Sequence, residues 1–397
     1  MKKMIMLITP MLHQGGFERI CVMTARLLEK DYQVYIAVFS MKDLAFDISG
    51  LNVIDLQLEA KPGKVSKIVN VLKRSFKLTR LQKKLGIDIS YSFGTTANIA
   101  NALTRGAKKK ITACHSFEEI KSKVYMNLIS RCSDKVLCCS KKMADLVDKT
   151  YHFSNVQALW NPCDVEKIRC QSECKEKEDL SFWETEDKVL VSMGREDDVK
   201  GFWHLIKVFK SVNEIRPDTR LAIIGDGTFE EYRMLVKNLE LEEKVLFAGL
   251  KKNPFPYLKE SDIYLLTSLS EGLPNALVES LAVSLPIVSV NCLSGPAEIL
   301  HREWKEAEEK ADVFEADYGV LTPVLSPEKR LSVEFEEIEG KQRIKLEEAE
   351  CRLAVGIMKM LENEELYEKY QKLAVDRAEN FSKETYLQEL FCCMESL

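Results

Sequence analysis

The chain has 397 residues, 46% of them apolar and 30% charged, with a formal net charge of −5. A chain of this length and apolar content can bury large cores and favours two domains, which excludes a disordered or fibrous protein. The small negative charge gives no general reason to expect binding to nucleic acid.

The cysteines and the N-terminal residues indicate the cellular compartment and bear on metal sites and signal peptides. The 12 cysteines are scattered and several lie in apolar runs, so we expect reduced thiols in a cytoplasmic protein. Neither Cys-x2-Cys nor Asp-x-Asp occurs, and we expect no metal site. The apolar run at residues 4–8 is short and meets Pro10, which favours a buried strand over a signal peptide. No apolar run is long enough for a transmembrane helix.

The first half of the chain alternates short apolar runs with helical patterns. This alternation predicts a doubly wound α/β domain with a parallel sheet. The predicted strands lie near residues 3–8, 32–39, 52–56, 87–91, 110–114 and 134–139.

The loop after the first predicted strand carries Gly15 and Gly16 and opens the first helix. Glycines let a backbone approach a ligand closely, and a helix N-terminus offers amides to phosphate. Many such loops bind nothing, so Gly16 is either a phosphate contact or only a turn residue.

Residues 61–85 are basic and contain no acidic residue. Apolar residues recur among the cations at roughly helical spacing, at Val65, Ile68, Val69, Leu72, Phe76 and Leu81. A basic amphipathic helix can lie on an anionic membrane surface. The alternative is an outer helix whose apolar stripe packs on the sheet while its cations are solvated.

His115 directly follows the predicted strand at residues 110–114. Ligand crevices in open α/β sheets form at the carboxyl ends of strands, so His115 is a candidate ligand contact. The alternative is a structural histidine whose hydrogen bonds are satisfied within the protein.

A change in composition after residues 161–164 marks a domain boundary. The following stretch is rich in charge and poor in apolar residues, as expected between domains. We therefore predict a first domain over residues 1–164, a linker over 165–187 and a second domain over 188–379. Predicted strands of the second domain lie near residues 188–193, 219–224, 244–248, 262–267 and 286–290.

The first turn of the second domain contains Arg195 and Lys200. Two cations around a strand-to-helix loop can hold a diphosphate, the arginine through its planar fork and the lysine as a point charge. The alternative is ordinary surface charge. The next two strands end near Gly225 and Leu250, where the chain either turns or approaches a ligand.

A ten-residue stretch, Ser-Glu-Gly-Leu-Pro-Asn-Ala-Leu-Val-Glu, lies between two apolar runs at residues 270–279. We interpret it as a strand-to-helix loop whose amides face an anion, with Pro274 suited to a first helical turn. Carboxylates at Glu271 and Glu279 can accept hydrogen bonds from hydroxyl groups and oppose positive charge at a reacting carbon. The alternative is an amphipathic helix with a solvated Glu279 and a capping Glu271.

This stretch resembles the Glu-x7-Glu signature of the family-4 retaining glycosyltransferases. The resemblance extends to Gly-Gly-x-Glu-Arg at residues 15–19, Gly-Arg-x4-Lys-Gly at 194–201 and the Asn-Pro step at 161–162. It implies the GT-B fold, an α/β architecture of two Rossmann-like domains facing a cleft, with a C-terminal helix over residues 380–397 that returns to the first domain.

The resemblance also implies site roles. Arg195 and Lys200 would hold the donor diphosphate, Glu279 the ribose, and Glu271 the sugar. Gly16 would let the first domain approach the phosphates, and His115 would lie beside the sugar. The remaining donor-binding candidates are Gly225, Leu250, Gly272, Leu273, Pro274 and Asn275. The intervening acidic residues 196–198 depart from a more apolar family pattern and bear on how Arg195 is held.

The implied activity is metal-independent transfer, with retention, of a hexose or N-acetylhexosamine from a nucleotide sugar, with UDP the favoured nucleotide. The acceptor would be a glycan or a lipid-linked saccharide in cell-surface polysaccharide synthesis. The nucleotide sugar is a substrate, so no cofactor is expected. The alternatives are a catalytically silent binding subunit and a GT-B sugar-nucleotide epimerase. We expect a cytoplasmic enzyme, peripheral at the inner face of the cell membrane.

Residues 301–340 are highly charged and contain one predicted short strand near residues 318–323. We interpret the whole stretch as an insertion that contains this strand, with the rest of it a mobile excursion. From about residue 343 onward the pattern is helical.

Overall fold

The computed structural model describes residues 2–13, 15–59, 63–174, 179–338 and 340–397, without the side chains of Lys64 and Val65. Three predictions extend to other residues. Lys61 of the basic segment, residues 175–178 of the predicted linker and Glu339 of the insertion lie outside the described residues.

The chain divides into two compact units. The first contains Met1–Pro162 together with Lys383–Leu397, and the second contains Cys163–Ser382. Each unit is built around a sheet covered by helices, parallel in the first unit and parallel except for β13 in the second, so the predicted α/β class with two doubly wound domains is confirmed.

The first unit has a parallel sheet in the order β3-β2-β1-β4-β5-β6-β7. Its strands are β1 (Lys3–Thr9), β2 (Tyr32–Val38), β3 (Asn52–Asp55), β4 (Ile89–Phe93), β5 (Lys109–Cys114), β6 (Lys135–Cys138) and β7 (Val156–Ala158). Its first helices are α1 (Gly16–Leu28), α2 (Lys64–Leu85), α3 (Thr95–Ala102), α4 (Phe117–Lys121), α5 (Lys123–Cys132) and α6 (Lys141–Tyr151). Strand β1 is buried along most of its length because helices cover both faces, which explains its unbroken apolar sequence.

The second unit repeats this architecture with a sheet in the order β10-β9-β8-β11-β12-β14-β13. Its strands are β8 (Lys188–Met193), β9 (Thr219–Ile224), β10 (Val245–Gly249), β11 (Ile263–Leu266), β12 (Ile287–Val290), β13 (Phe314–Glu315) and β14 (Val320–Thr322). Its helices are α7 (Val165–Ser172), α8 (Phe202–Ile215), α9 (Glu230–Asn238), α10 (Phe255–Lys259), α11 (Asn275–Ala282), α12 (Pro296–Leu300), α13 (Trp304–Glu308), α14 (Glu348–Glu362) and α15 (Glu364–Glu379).

The described part of residues 165–187 packs within the second unit. Helix α7 lies against α10 and α11. The indole nitrogen of Trp183 donates a hydrogen bond to Ser261 Oγ at 2.8 Å, and its ring meets Tyr257 edge-on. The predicted linker is therefore charge-rich, but its described part belongs to the second unit and is attached to it through Trp183.

The stretch at residues 301–340 is more ordered than its charge suggests. The predicted short strand is β14, which pairs in parallel with β12 and extends the second sheet. A helix, the strand β13 and the hairpin β15 (Phe335–Ile338) with β16 (Lys341–Ile344) surround it. The predicted short strand is confirmed, but the interpretation of the whole stretch as an insertion is wrong, because β14 is an integral strand of the second sheet.

The last helix, α16 (Lys383–Glu395), packs against α1 in the first unit. Its inner face contributes Tyr386, Leu390 and Met394 to the core around β1. Thr24 Oγ1 and Tyr386 Oη lie 2.9 Å apart and both residues are buried. The return of the C-terminal helix to the first domain is thus confirmed.

Tyr386→Phe should lower the free energy of unfolding by about 1 kcal/mol, because it removes a buried hydrogen bond but keeps the packed ring. Urea unfolding of Tyr386→Phe, Thr24→Val and the double variant measures the coupling. We expect the two effects to be clearly less than additive. Full additivity would show that this hydrogen bond does not hold α16.

Candidate functional site

The candidate site of the second unit lies where its strand order reverses, between β8 and β11. Loops that follow neighbouring parallel strands on either side of such a point diverge and leave a crevice for ligands. Here the two loops are tied together: Leu269 N donates to Val199 O at 2.7 Å and Thr267 Oγ1 donates to Lys200 O at 2.9 Å. Residues from the two sequence motifs therefore meet at one sheet edge.

Lys200 and Glu271 form an ion pair across these loops, with 2.7 Å between Lys200 Nζ and Glu271 Oε1. Both side chains are largely shielded from solvent, with exposed fractions of 24% and 14%. A lysine ammonium has three N–H donors and a carboxylate has about four acceptor positions, so each group keeps capacity for a ligand. The pair therefore places a positive and a negative group side by side at the crevice.

The backbone of the Lys200 turn depends on Gly201, which has a φ of 63° and forms the N-cap of α8. A Cβ at this position would overlap the carbonyl oxygen of Thr267. Only glycine combines this left-handed backbone with the close approach of the β11 loop. This explains why the Lys-Gly pair occurs at the turn.

Arg195 lies on the same turn, and its side chain is 75% exposed. Its Nη2 donates to Asp197 Oδ2 at 3.0 Å, while the other oxygen of Asp197 accepts a hydrogen bond from Val199 N. Glu196 accepts from Phe229 N at 2.8 Å and so fixes the turn to the loop after β9. Glu196 and Asp197 thus hold the turn and its arginine.

Glu279 lies on α11 and is only 4% exposed, which excludes the interpretation of a solvated glutamate on an amphipathic helix. Burial raises the pKa of Tyr264, and the negative charges of Glu271 and Glu279 raise it further. The Tyr264 hydroxyl lies 3.3 Å from both the nitrogen and the carbonyl oxygen of Met193, at the end of β8. The Tyr264 hydroxyl therefore lies within electrostatic range of both carboxylates.

The loop after β12 supports the backbone of residues 271–275. Glu271 N donates to Leu293 O at 2.8 Å, and Ser294 Oγ donates to Gly272 O at 2.7 Å. Helix α11 begins after Pro274 without a side-chain hydrogen bond at its N-cap. The loop after β12 therefore fixes the shape of the loop formed by Gly272, Leu273, Pro274 and Asn275.

Gly225 and Leu250 lie at the ends of β9 and β10, next to the Lys200 turn. Gly225 N donates to Gly249 O at 3.1 Å. A Cβ on Gly225 would overlap the carbonyl oxygen of Gly194, so glycine is required for the close approach of these loops. Leu250 is exposed.

The first unit brings Gly16 and His115 to one sheet edge of its own, near the reversal between β1 and β4. Phe17, next to Gly16, and Phe93, at the end of β4, stack on the His115 ring with centroid distances of 6.3 and 5.8 Å. Burial lowers the pKa of His115 to about 4, and its contact with the Asn161 side chain acts in the opposite direction. The imidazole is therefore neutral at pH 7.

The described residues lack the features of two other classes of site. They contain no group of three or more His, Cys, Asp or Glu side chains arranged to hold a metal ion. None of the helices they form combines the length and apolar character needed to cross a membrane.

Comparison with known proteins identifies the family. Residues 14–167 match the model of Glycosyltransferase Family 4, and residues 175–305 match the model of Glycosyl transferases group 1. The chain belongs to the family-4, group 1 glycosyltransferases.

Curated relatives agree with this assignment. A Campylobacter jejuni 4-alpha-N-acetylgalactosaminyltransferase acting on N-acetylgalactosamine-N,N'-diacetylbacillosaminyl-diphospho-undecaprenol is 27% identical over 393 residues, which cover 94% of each chain. An uncharacterised glycosyltransferase of Methanocaldococcus jannaschii is 36% identical over 204 residues, 51% of this chain but only 48% of that protein.

Solved structures show the same fold. HepE of Anabaena, in complex with UDP and glucose, has a TM-score of 0.73 and 16% identity, covering 99% of this glycosyltransferase and 100% of HepE. Sucrose-phosphate synthase of Thermosynechococcus elongatus has a TM-score of 0.75 and 12% identity over 99% and 98% of the two chains. The predicted GT-B fold is thus confirmed.

Sequence analysis missed several residues that shape the site of this glycosyltransferase. Tyr264 looked like a strand residue and Thr267 like a loop residue, and nothing in the sequence singled out Ser294 within the loop that follows a predicted strand. Tyr264 and Thr267 lie just before the motif at residues 270–279 and Ser294 lies well after it, and no local pattern singles them out. The one available signal was their position at strand ends, where ligand crevices form.

Proposed function

We propose that this glycosyltransferase transfers a hexose or N-acetylhexosamine from a UDP-sugar, with retention at the anomeric carbon. The observation that supports this most strongly is the partly shielded Lys200–Glu271 pair at the strand reversal of the second unit, followed along the chain by the buried Glu279 on α11. Such an arrangement suits a ligand that carries a diphosphate and two sets of hydroxyl groups.

Lys200 and Arg195 would hold the diphosphate, and their positive charge would stabilise the negative charge that develops on the departing nucleoside diphosphate. Glu279 would accept hydrogen bonds from the ribose. Glu271 and the amides of residues 272–275 would hold the transferred sugar, and Gly225 and Leu250 would flank the nucleoside. The roles of Gly16 at the phosphates and of His115 at the sugar stay predictions.

In retaining transfer the acceptor oxygen attacks from the face that the leaving group departs from. The bond from the anomeric carbon to the diphosphate oxygen breaks as the bond to the acceptor forms. A leaving phosphate oxygen takes the acceptor proton. This chemistry requires neither a cofactor nor a metal ion, since Arg195 and Lys200 supply the positive charge.

The acceptor we propose is a lipid-linked saccharide of cell-surface polysaccharide synthesis, with the enzyme peripheral at the inner face of the membrane. The Campylobacter relative named above acts on a saccharide linked to diphospho-undecaprenol, and HepE was crystallised with UDP and with UDP-glucose. These relatives favour UDP and a lipid-linked acceptor for this chain.

Thermal unfolding with UDP, GDP and ADP tests the donor. UDP at roughly 100 times its dissociation constant should raise the free energy of unfolding by about 2.7 kcal/mol, and the other two nucleotides should do less. A shift with GDP or ADP alone would contradict the UDP assignment. UDP binding without turnover of any UDP-sugar would instead indicate the silent binding subunit.

Proton NMR of the product tests the stereochemistry. Retention predicts that the new glycosidic bond has the anomeric configuration of the donor, and inversion would overturn the proposed mechanism. Full activity in EDTA is expected, and loss of activity that Mg²⁺ restores would show a metal requirement.

A further inference from the structure

The stretch between β14 and β15 lies against the start of helix α8. We call this stretch, residues 323–334, the strap. It has no regular secondary structure, but Leu325 is buried, and Leu331 and Val333 pack on the core cluster to which α8 belongs. The strap is therefore anchored on the second unit rather than projecting from it.

A buried histidine on the first turn of α8 holds the strap. His204 Nε2 lies 2.9 Å from Ser326 O, and a carbonyl oxygen can only accept, so Nε2 carries a proton. His204 Nδ1 lies 2.6 Å from Glu350 Oε1 on α14, and both residues are buried. Because Nε2 already carries one proton, this short contact requires a second proton between Nδ1 and Oε1. The strap, α8 and α14 are thus fixed to one another at this point.

Lys329 joins the strap to the turn that carries Lys200. Its ammonium donates to Asp198 Oδ1 at 2.8 Å and to Glu231 Oε2 at 2.6 Å, and it lies 5.3 Å from the centre of the Tyr232 ring. Burial lowers the pKa of Lys329, but its hydrogen bonds to Asp198 and Glu231 outweigh this effect and raise the pKa above its usual value. Lys329 therefore holds the turn as a cation.

The contact with Lys329 bears on how an acidic turn can bind an anion. Glu196 accepts a hydrogen bond from a backbone amide, and Asp197 accepts one from Arg195. Asp198 forms an ion pair with Lys329. Carboxylates without a nearby cation would repel a diphosphate at this turn, because like charges a few ångströms apart are unfavourable. Lys329 thus supplies the positive charge next to Asp198.

Two separate segments hold the turn that carries Lys200. Asp198 begins the single 3₁₀ turn Asp198–Lys200, and its carbonyl accepts a hydrogen bond from Gly201 N at 3.0 Å. The strap holds this turn through Asp198, and the loop after β11 holds it through Thr267 Oγ1, which donates to Lys200 O. The stem of Lys200 runs along Gly194, since a Cβ on that glycine would lie 3.1 Å from Lys200 Cε. The Lys200 ammonium therefore has a fixed position in the free protein.

We propose that Lys329 is a positioning residue of the diphosphate site, which holds the Lys200 turn and neutralises Asp198. A cation stabilises a developing charge best when it needs no reorganisation during the reaction. This inference rests on the proposed function, in which Lys200 stabilises the departing diphosphate. It adds that the strap, which carries none of the family motifs, takes part in transfer.

Lys329→Gln should lower kcat with a UDP-sugar by about tenfold, because even a small misplacement of a catalytic group is costly. UDP binding should change little, since the amine of Lys200 remains present. Lys329 is 27% exposed and both of its carboxylate partners are exposed, so thermal unfolding should also change little. Lys329→Arg keeps a cation with several donors and should retain most of kcat.

The effect of Lys329→Gln should depend on Lys200. In a Lys200→Ala background it should cause no further loss of kcat, because a positioning residue acts only through the group that it positions. Asp198→Asn and Lys329→Gln should likewise be less than additive, since each removes one partner of the same ion pair. An equal loss of kcat in both backgrounds would show a role independent of Lys200 and overturn the inference.

Lys244 provides a matched control at the opposite edge of the sheet. It directly precedes β10, is 30% exposed, and its ammonium donates to Asp187 Oδ2 and Pro217 O at 2.8 and 2.7 Å. Lys244→Gln removes the same charge and the same number of hydrogen bonds, and kcat should stay within about twofold of the parent. An equal loss of kcat in Lys244→Gln and Lys329→Gln would contradict a specific role of the strap.

Hydrogen–deuterium exchange of the free protein tests the anchor without a substrate. The amides of Lys200 and Gly201 donate to Asp197 O and Asp198 O, and they should exchange about fivefold faster in Lys329→Gln but not in Lys244→Gln. Unchanged exchange in Lys329→Gln would overturn the inference, whatever the donor is.

The inference and the proposed function can fail separately. If the parent transfers from a UDP-sugar and Lys329→Gln has the kcat of the parent, the inference fails and the proposed function stands. If the parent transfers from no UDP-sugar but Lys329→Gln exchanges faster at the turn, the proposed donor is contradicted and the anchor is supported.

Discussion

Lys200→Ala should lower kcat by about 100- to 1,000-fold, with a much smaller change in the dissociation constant of the donor. The ammonium of Lys200 is partly shielded from solvent and lies 2.7 Å from Glu271. Negative charge on the diphosphate increases as the glycosidic bond breaks, so a fixed cation stabilises the transition state more than the bound donor. Steady-state kinetics with the UDP-sugar measure the effect on kcat, and calorimetry measures donor binding.

The control for this prediction is Lys210→Ala. Lys210 is also partly shielded and faces a glutamate, Glu214, at 3.7 Å on helix α8, but it lies away from the strand reversal. Its loss should leave kcat within about twofold, since the effect on stability of such a helix pair is small. Equal kinetics of the two variants would show that Lys200 has no role in transfer.

The alternating pattern of the sequence predicted the fold well because parallel strands covered on both faces have apolar runs that are easily recognised. Strand β7 was not predicted because its three residues are partly buried or exposed and give no apolar run. Strand β14 was placed correctly, but its integration into the sheet depends on pairing with β12, which no local pattern specifies.

Helix α2 shows where sequence periodicity stops being informative. Its apolar spacing indicated an amphipathic helix, and the periodicity alone could not decide which face lies inward. The orientation is set by Asn70, Arg74 and Ser75, which bond to backbone carbonyls of neighbouring segments. These hydrogen bonds form only in the folded protein, because their acceptors lie in other segments of the chain. The burial of polar residues in place of Ile68 and Phe76 could therefore not be predicted from the sequence.

In the candidate site, the motifs predicted which residues matter but not how they contact one another. Lys200 and Glu271 are far apart in sequence, and their contact depends on the order of β8 and β11 in the sheet. The sequence also did not show how the acidic residues after Arg195 affect its position. In the structure, Asp197 accepts a hydrogen bond from the Arg195 guanidinium. Spacing within one loop is local, whereas the pairing of two loops is a property of the fold.

Glu279→Ala should weaken UDP binding by about 10- to 100-fold, which corresponds to the loss of hydrogen bonds to a charged group. Glu279 is 4% exposed, and its charge acts on the buried Tyr264. A ribose offers two hydroxyl donors to such a carboxylate. Isothermal titration calorimetry with UDP measures the change, and kcat at saturating donor should fall less than in Lys200→Ala.

Glu279→Gln separates a ribose contact from a structural role, because it keeps the volume and one acceptor oxygen but removes the charge. A ribose contact predicts an intermediate loss of UDP affinity, since one of the two acceptor oxygens remains. A purely structural carboxylate predicts a lower thermal midpoint of the free protein with unchanged affinity, which would contradict the assignment. Glu214→Gln, which changes a partly shielded glutamate on α8, provides the control and should bind UDP like the parent.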